Sequence, residues 1–130
     1  MEAVAVKLVG RADASQCVNK EISALQTIPA HPNIIKLKHV ARDVCFDGKM
    51  HTALVLQLAV NGEMFRHIEK YGNFGEEVAR TYFRQLLLAL KASHEAKVYH
   101  RDVKLDNIVL GGNFELLLCD WGLSSYCAEA

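Results

Sequence analysis

"VYHRDVKLDN", residues 98–107, gathers one His, one Arg, two Asp, one Lys and one Asn into ten positions, between an apolar helical stretch and a strand-like run. The residues that follow, "NIVL", the turn "GGN" and "FELLLC", read as a β-hairpin over 107–119. The two strands of such a hairpin run antiparallel, so Asn107 at its start and Asp120 just past its end emerge at the same edge. The polar cluster therefore faces one end of a hairpin whose body is built for a core.

Asn107 and Asp120 supply oxygen donors without a neighbouring His or Cys set, the ligand type that a hard divalent ion such as Mg²⁺ takes when phosphate oxygens complete its shell. Asp102 lies one short loop away and so does Lys104. A carboxylate that orients a hydroxyl, an ammonium that neutralises phosphate charge and a two-ligand Mg²⁺ site together describe phosphoryl transfer, where catalysis is mostly positioning and charge stabilisation.

Upstream, the order of elements carries the information. "AVAVKLV" (3–9) reads as a strand around Lys7, and a helix fits Ser15 to about Ile28, with Val18, Ile22 and Leu25 on one face. Glu21 falls on that same face, and a carboxylate turned towards a core needs a cationic partner. "NIIKLKHV" (33–40) and "HTALVLQL" (51–58) read as strands joined by a turn around Asp47-Gly48, the second too apolar to be an edge. A short helix over "MFRHIEKYG" precedes a long amphipathic helix from about Glu76 to His94, with Val78, Tyr82, Phe83, Leu86, Leu87 and Leu90 on its apolar side.

Composition bounds the function classes. The chain has 130 residues, no formal net charge and 51% hydrophobic residues, which suits one globular domain with a sizeable core. Balanced charge gives no global field towards nucleic acid or an anionic membrane, so no nucleic-acid partner is expected. No signal-peptide pattern or membrane-length apolar run stands in the sequence. The four cysteines form no C-x-x-C pair, which points to reduced thiols and an intracellular, cytoplasmic setting with the nucleus left open. Cys119 reads as a small buried residue at a strand end rather than a reactive thiol. His39, His67 and His94 read as surface or helix-end residues.

These motifs resemble the eukaryotic protein-kinase family in order, from the first residue to the last. "HRDVKLDN" is similar to the family's H-R-D-x-K-x-x-N catalytic loop, "DWG" (120–122) to its metal-binding D-F-G, and "VAVK" (4–7) to its third-strand lysine motif. The resemblance implies an α+β, two-lobe protein-kinase-like fold, in part: residues 1–56 within the N-lobe with the family's helix C, 57–62 the hinge, and 63–130 within the C-lobe with the catalytic hairpin. It implies ATP and Mg²⁺ as cofactors and serine or threonine of a protein substrate as acceptor, and leaves any regulatory partner unspecified. Residue by residue, Asp102 resembles the catalytic base, Lys104 the lysine contacting the transferring phosphate, and Asn107 and Asp120 the Mg²⁺ ligands. Lys7 would hold the α- and β-phosphates and pair with Glu21, the cation that Glu21 calls for. Leu56 matches the gatekeeper, the Gln57 carbonyl and Ala59 backbone would read adenine, Glu63 would lie near the ribose, and Ala5 and Val109 join the nucleotide set. His100 is implied to pack behind the metal-binding motif with Trp121, Leu25 and Leu37.

Small-molecule kinases share a related loop but usually read H-G-D; Arg101, Lys104 and "HPNIIKL" (31–37) are as protein kinases have them. Lys104 favours the serine/threonine type, and "EISAL", "HPNIIKL" and "NGEMF" look most like the calcium/calmodulin-dependent and AMP-activated group. Two departures stand out. Trp121 replaces the phenylalanine of D-F-G, still a large apolar anchor. The family's Gly-rich loop before the lysine strand and its activation segment after Gly122 are absent from these 130 residues, so the expectation is a fragment of an active kinase. The alternative expectation is a non-catalytic, pseudokinase-like module that binds nucleotide or a partner.

Overall fold

The computed structural model describes residues 1–10 and 15–128. Three strands form an antiparallel sheet: β1 (Val4–Gly10), β2 (Leu37–Phe46) and β3 (Lys49–Gln57), in the order β1-β3-β2. The apolar β3 is central, as its composition requires, because both of its edges are paired. A two-residue turn joins β2 to β3, with Asp47 at φ 51° and Gly48 at φ 74°. Two consecutive left-handed residues match the right-handed twist of the flanking strands.

Helix α1 (Ser15–Thr27) lays Val18 and Ile22 against Leu54 of β3, with Val9, Val40 and Leu56 closing the cluster. Farther on come α2 (Met64–Tyr71), α3 (Glu76–Glu95) and β4 (Val98–Tyr99), which pairs with β7 (Ser125–Tyr126). The hairpin of β5 (Ile108–Leu110) and β6 (Leu116–Leu118) stands between them. Its strands are short but almost wholly buried, and they join Ala24, Ile28, Ile34 and Ile35 from upstream to Ala89, Val98 and Trp121 in one core. That core spans both halves of the chain.

Two sequence expectations need correction. Residues 33–36 are not part of a strand of the sheet, which they reach only at Leu37. Instead, Ile34 makes a parallel bridge to Leu118, the Leu118 N–H donates to the Asn33 carbonyl at 2.9 Å, and the Ile35 N–H donates to the Leu118 carbonyl at 3.1 Å. An apolar run of this kind suits either pairing, and the open edge of β6 takes it. The second correction concerns α3. Tyr82, Leu86 and Leu90 pack on the core as expected, but Val78, Phe83 and Leu87 are exposed, and the most deeply buried positions are Ala89 and Ser93. Small residues there let the helix backbone approach β4 and β6, which the large-residue stripe in the sequence does not reveal.

Trp121 is fully buried, its ring edge-on to His100 at 4.6 Å and its Nε1–H donating to the Leu118 carbonyl at 3.3 Å. Replacing it with alanine is expected to lower stability by about 3–5 kcal/mol. Urea denaturation measures this, and an unchanged midpoint and slope would show that the ring is not the anchor described.

Candidate active site

Alternation along β1 puts Ala5, Lys7 and Val9 on its inner face while Val4, Val6 and Leu8 are exposed. Lys7 Nζ thereby meets Glu21 Oε2 at 2.8 Å, with the Glu21 side chain only 4% exposed. Glu21 is buried because it shares the core face of α1 with Val18 and Ile22, and Lys7 is the cation that the sequence demanded for it. Asp120 Oδ1 lies 3.8 Å from the same ammonium. Burial works against the Lys7 charge, yet the hydrogen bond and charge of Glu21, with Asp120 adding, outweigh it and hold the ammonium above its ordinary value of 10.5. A raised pKa in the folded state means that the pair stabilises the fold fully at neutral pH. That contribution fades only as pH climbs beyond 10.5 and through the raised value.

The polar loop is organised by its own backbone. A 3₁₀ turn over Leu105–Asn107 follows Lys104, and the Asn107 side chain turns back on Asp102. Asn107 Nδ2 donates to the Asp102 carbonyl at 2.9 Å and to Asp102 Oδ2 at 3.1 Å. Both amide protons are thus directed at Asp102, which leaves Asn107 Oδ1 as the atom able to accept or to ligate. Lys104 Nζ stands 3.7 Å from Asp102 Oδ2. Arg101 and Asp120 adopt left-handed backbone, φ 69° and 58°, a conformation that non-glycine residues hold only where their surroundings enforce it.

His100 supplies that enforcement. Its Nδ1 accepts the Asp102 N–H at 3.1 Å, so Nε2 carries the proton and donates to the Cys119 carbonyl at 2.9 Å. Across the hairpin, Cys119 N–H donates to the Asn107 carbonyl at 2.9 Å. These bonds form a closed circuit through His100, Asp102, Asn107 and Cys119, the residue that precedes Asp120. The stack implied for His100 is met by Trp121 directly, and Leu25 packs on the same core; Leu37 packs on the cluster of Val18, Ile22 and Leu54.

The connecting segment is stitched on both sides. Ala5 faces Leu56 across β1 and β3, Gln57 N–H donates to the Lys36 carbonyl at 2.8 Å, and Gly62 N–H donates to the Ala59 carbonyl at 3.0 Å. Glu63 bridges Val109 of β5, and its carboxylate accepts from Arg66 Nε at 3.2 Å. Among the described residues there is no cluster of three His, Cys, Asp or Glu side chains fit for a metal. Asn107 and Asp120 are instead a sparse oxygen pair, the donor set that suits Mg²⁺ carried in on phosphates. Of the histidines given no role, His67 bonds the Asn61 carbonyl at 2.7 Å and His94 lies against Tyr99 at 4.9 Å. The sequence reading gave no role to Asn33 or Gln85, whose side chains meet β6; Asn33 stands in "HPNIIKL", but neither belongs to a hydrophobic period or a charge pair that points to β6.

Fold and motif order together define a partial two-lobe α+β fold of the kinase type. The chain belongs to the protein kinase domain family, whose model matches residues 1–130. It is 36% identical over 129 residues to CBL-interacting protein kinase 26 of Oryza sativa subsp. japonica, covering 95% of this chain and 25% of that protein. It is also 36% identical over 129 residues to CBL-interacting serine/threonine-protein kinase 7 of Arabidopsis thaliana, covering 95% and 29%. Serine/threonine-protein kinase SAPK2 of Oryza sativa subsp. indica is 35% identical over 126 residues, covering 95% and 35%. The chain therefore spans between a quarter and about a third of the length of these relatives. Protein-kinase relatives set aside the small-molecule-kinase reading. Among the described residues no helix is long and apolar enough to cross a membrane.

Burial first, then the charges of Asp120 and Glu21, push the Cys119 thiol up to about 12 despite the opposing pull of Lys7. Near neutral pH the thiol is therefore held in its unreactive, protonated form. Iodoacetamide followed by mass spectrometry is expected to label exposed Cys17 and Cys45 well before Cys119. Labelling of Cys119 at an equal rate would contradict the buried, neutral thiol.

Proposed function

We propose that this chain carries the catalytic centre for ATP-dependent transfer of a phosphoryl group to serine or threonine of a protein substrate. The observation that carries the reading is the convergence of Asp102, Asn107 and Asp120 at one hairpin edge, with the Lys7–Glu21 pair against Asp120. Protein kinases as a family use ATP and Mg²⁺, and the donor atoms here fit both.

In this reading residues 1–56 belong to the N-lobe, 57–62 form the hinge and 63–130 belong to the C-lobe. Ala5, Leu56 and Val109 are apolar surfaces for the adenine ring, while the Gln57 carbonyl and the Ala59 N–H read its edge. Glu63 lies by the ribose. Lys7, kept charged and aimed by Glu21, holds the α- and β-phosphates. Asp102 orients the acceptor hydroxyl and takes its proton; its carboxylate is already fixed by Asn107, so little reorganisation is left for the reaction itself. Lys104 neutralises charge on the transferring group from its place beside Asp102. Mg²⁺, held by Asn107 Oδ1 and the Asp120 carboxylate, would supply further neutralisation of phosphate charge.

Asp120→Asn in the full-length protein keeps the shape of the side chain but removes its charge. Mg²⁺-dependent transfer is expected to fall by at least about 10²-fold, because stabilising the charge of the transferring group supplies most of the rate enhancement at such sites. Unchanged turnover would refute the metal role of Asp120.

A further inference from the structure

The outer edge of β6 is closed in an unusual way. Beyond the backbone bonds from residues 33–35 to Leu118, both polar groups of Leu116 are taken by side chains. Leu116 N–H donates to Gln85 Oε1 at 2.7 Å, and the Leu116 carbonyl accepts from Asn33 Nδ2 at 2.9 Å. Asn33 Nδ2 also stands 3.5 Å from Gln85 Oε1. The orientation of both amides follows from the partners: a backbone donor requires the Gln85 oxygen, and a backbone acceptor requires the Asn33 nitrogen. Asn33 is buried and Leu116 almost wholly so, so each bond replaces one that water cannot offer.

The position of this network gives it a consequence. Asn33 lies between α1, which carries Glu21, and Lys36, whose carbonyl accepts from Gln57 at 2.8 Å. Gln85 lies on α3, and Leu116 opens the strand that ends just before Cys119 and Asp120. One pair of side-chain amides thus ties the segment between α1 and β2, helix α3 and the Asp120 hairpin at a common point. A distance of 3.8 Å separates Lys7 of β1 from Asp120, just past the end of β6. The position of β6 relative to residues 33–35 therefore bears directly on it.

We infer that Asn33 and Gln85 are positioning residues: by locking Leu116 they hold Asp120 in register with the Lys7–Glu21 pair, and they act on metal binding and turnover without touching nucleotide or substrate. This rests on the metal role proposed for Asp120. Full-length Asn33→Leu, Gln85→Ala and Gln85→Glu are compared with the native protein and with Asp120→Asn, by transfer kinetics and by electron paramagnetic resonance of Mn²⁺ bound in the presence of ADP. Gln85→Ala, at a half-buried helix position, removes the acceptor with little risk to folding, whereas Gln85→Glu retains it.

Asn33→Leu and Gln85→Ala are expected to lower kcat and Mn²⁺ affinity together by roughly tenfold, as small displacements of a catalytic group do. Affinity for ADP without metal should stay within about twofold, and Gln85→Glu should restore both quantities to near native. The inference is overturned if both variants lose only thermal stability while kcat and Mn²⁺ affinity per folded molecule stay native. It is likewise overturned if Gln85→Glu is as impaired as Gln85→Ala. If Asp120→Asn itself leaves Mn²⁺ binding and turnover intact, the metal role fails first, and that arm alone identifies the cause.

Discussion

The rest of the site depends on the two hydrogen bonds of one imidazole. His100, almost fully buried, accepts the Asp102 N–H on one ring nitrogen and donates to the Cys119 carbonyl from the other. Those two bonds set the backbone on either side of the ring: Arg101 and Asp120, each adjacent to a bonded residue, hold left-handed φ angles that open solution would not favour. Trp121 packs edge-on against the ring, so the tautomer and orientation are set by the core rather than by solvent. The bond pattern needs the neutral ring, since a doubly protonated imidazole has no acceptor for Asp102.

The remaining geometry builds outward from that point. Bonds between Asn107 and Cys119 close the base of the hairpin, and Asn107 returns its side chain to Asp102. Besides the shared apolar core, two polar links among the described residues join the hairpin end to residues 1–40. One is electrostatic, from Asp120 to Lys7 and Glu21; the other is the hydrogen-bonded seam between β6 and residues 33–35. The first is sensitive to distance and charge, the second rigid and buried. Charged groups so arranged are kept in place before any substrate arrives, which is what the proposed phosphoryl transfer would call for.

Much of this was legible in the sequence, and the reasons differ by residue. The hairpin is legible because "GGN" separates two apolar runs, and its antiparallel course brings Asn107 and Asp120 to one edge. The need of Glu21 for a cation was legible because a carboxylate on an apolar helix face requires one; that Lys7 is this cation came from the family resemblance, and the structure pairs the two. Residues 33–36 misled because "NIIKL" is apolar enough for any sheet; which edge claims it depends on the open side of β6, a tertiary fact. On α3, the run Leu86, Leu87, Leu88 fits more than one face, and the buried face proved to be the one with Ala89 and Ser93. Asn33 showed only as part of "HPNIIKL" and Gln85 not at all, since side-chain bonds to a distant backbone have no period and no spacing.

The most direct measurement is to supply the full-length protein with ATP labelled on its γ-phosphate and a mixed set of serine-, threonine- and tyrosine-containing peptides. Acid hydrolysis then identifies the labelled residue. Mg²⁺-dependent label on serine or threonine is the expected result. Label on tyrosine alone, or none on any hydroxyl in a folded, nucleotide-saturated protein, would contradict a serine/threonine phosphoryl-transfer centre at the Asp102–Asn107–Asp120 edge.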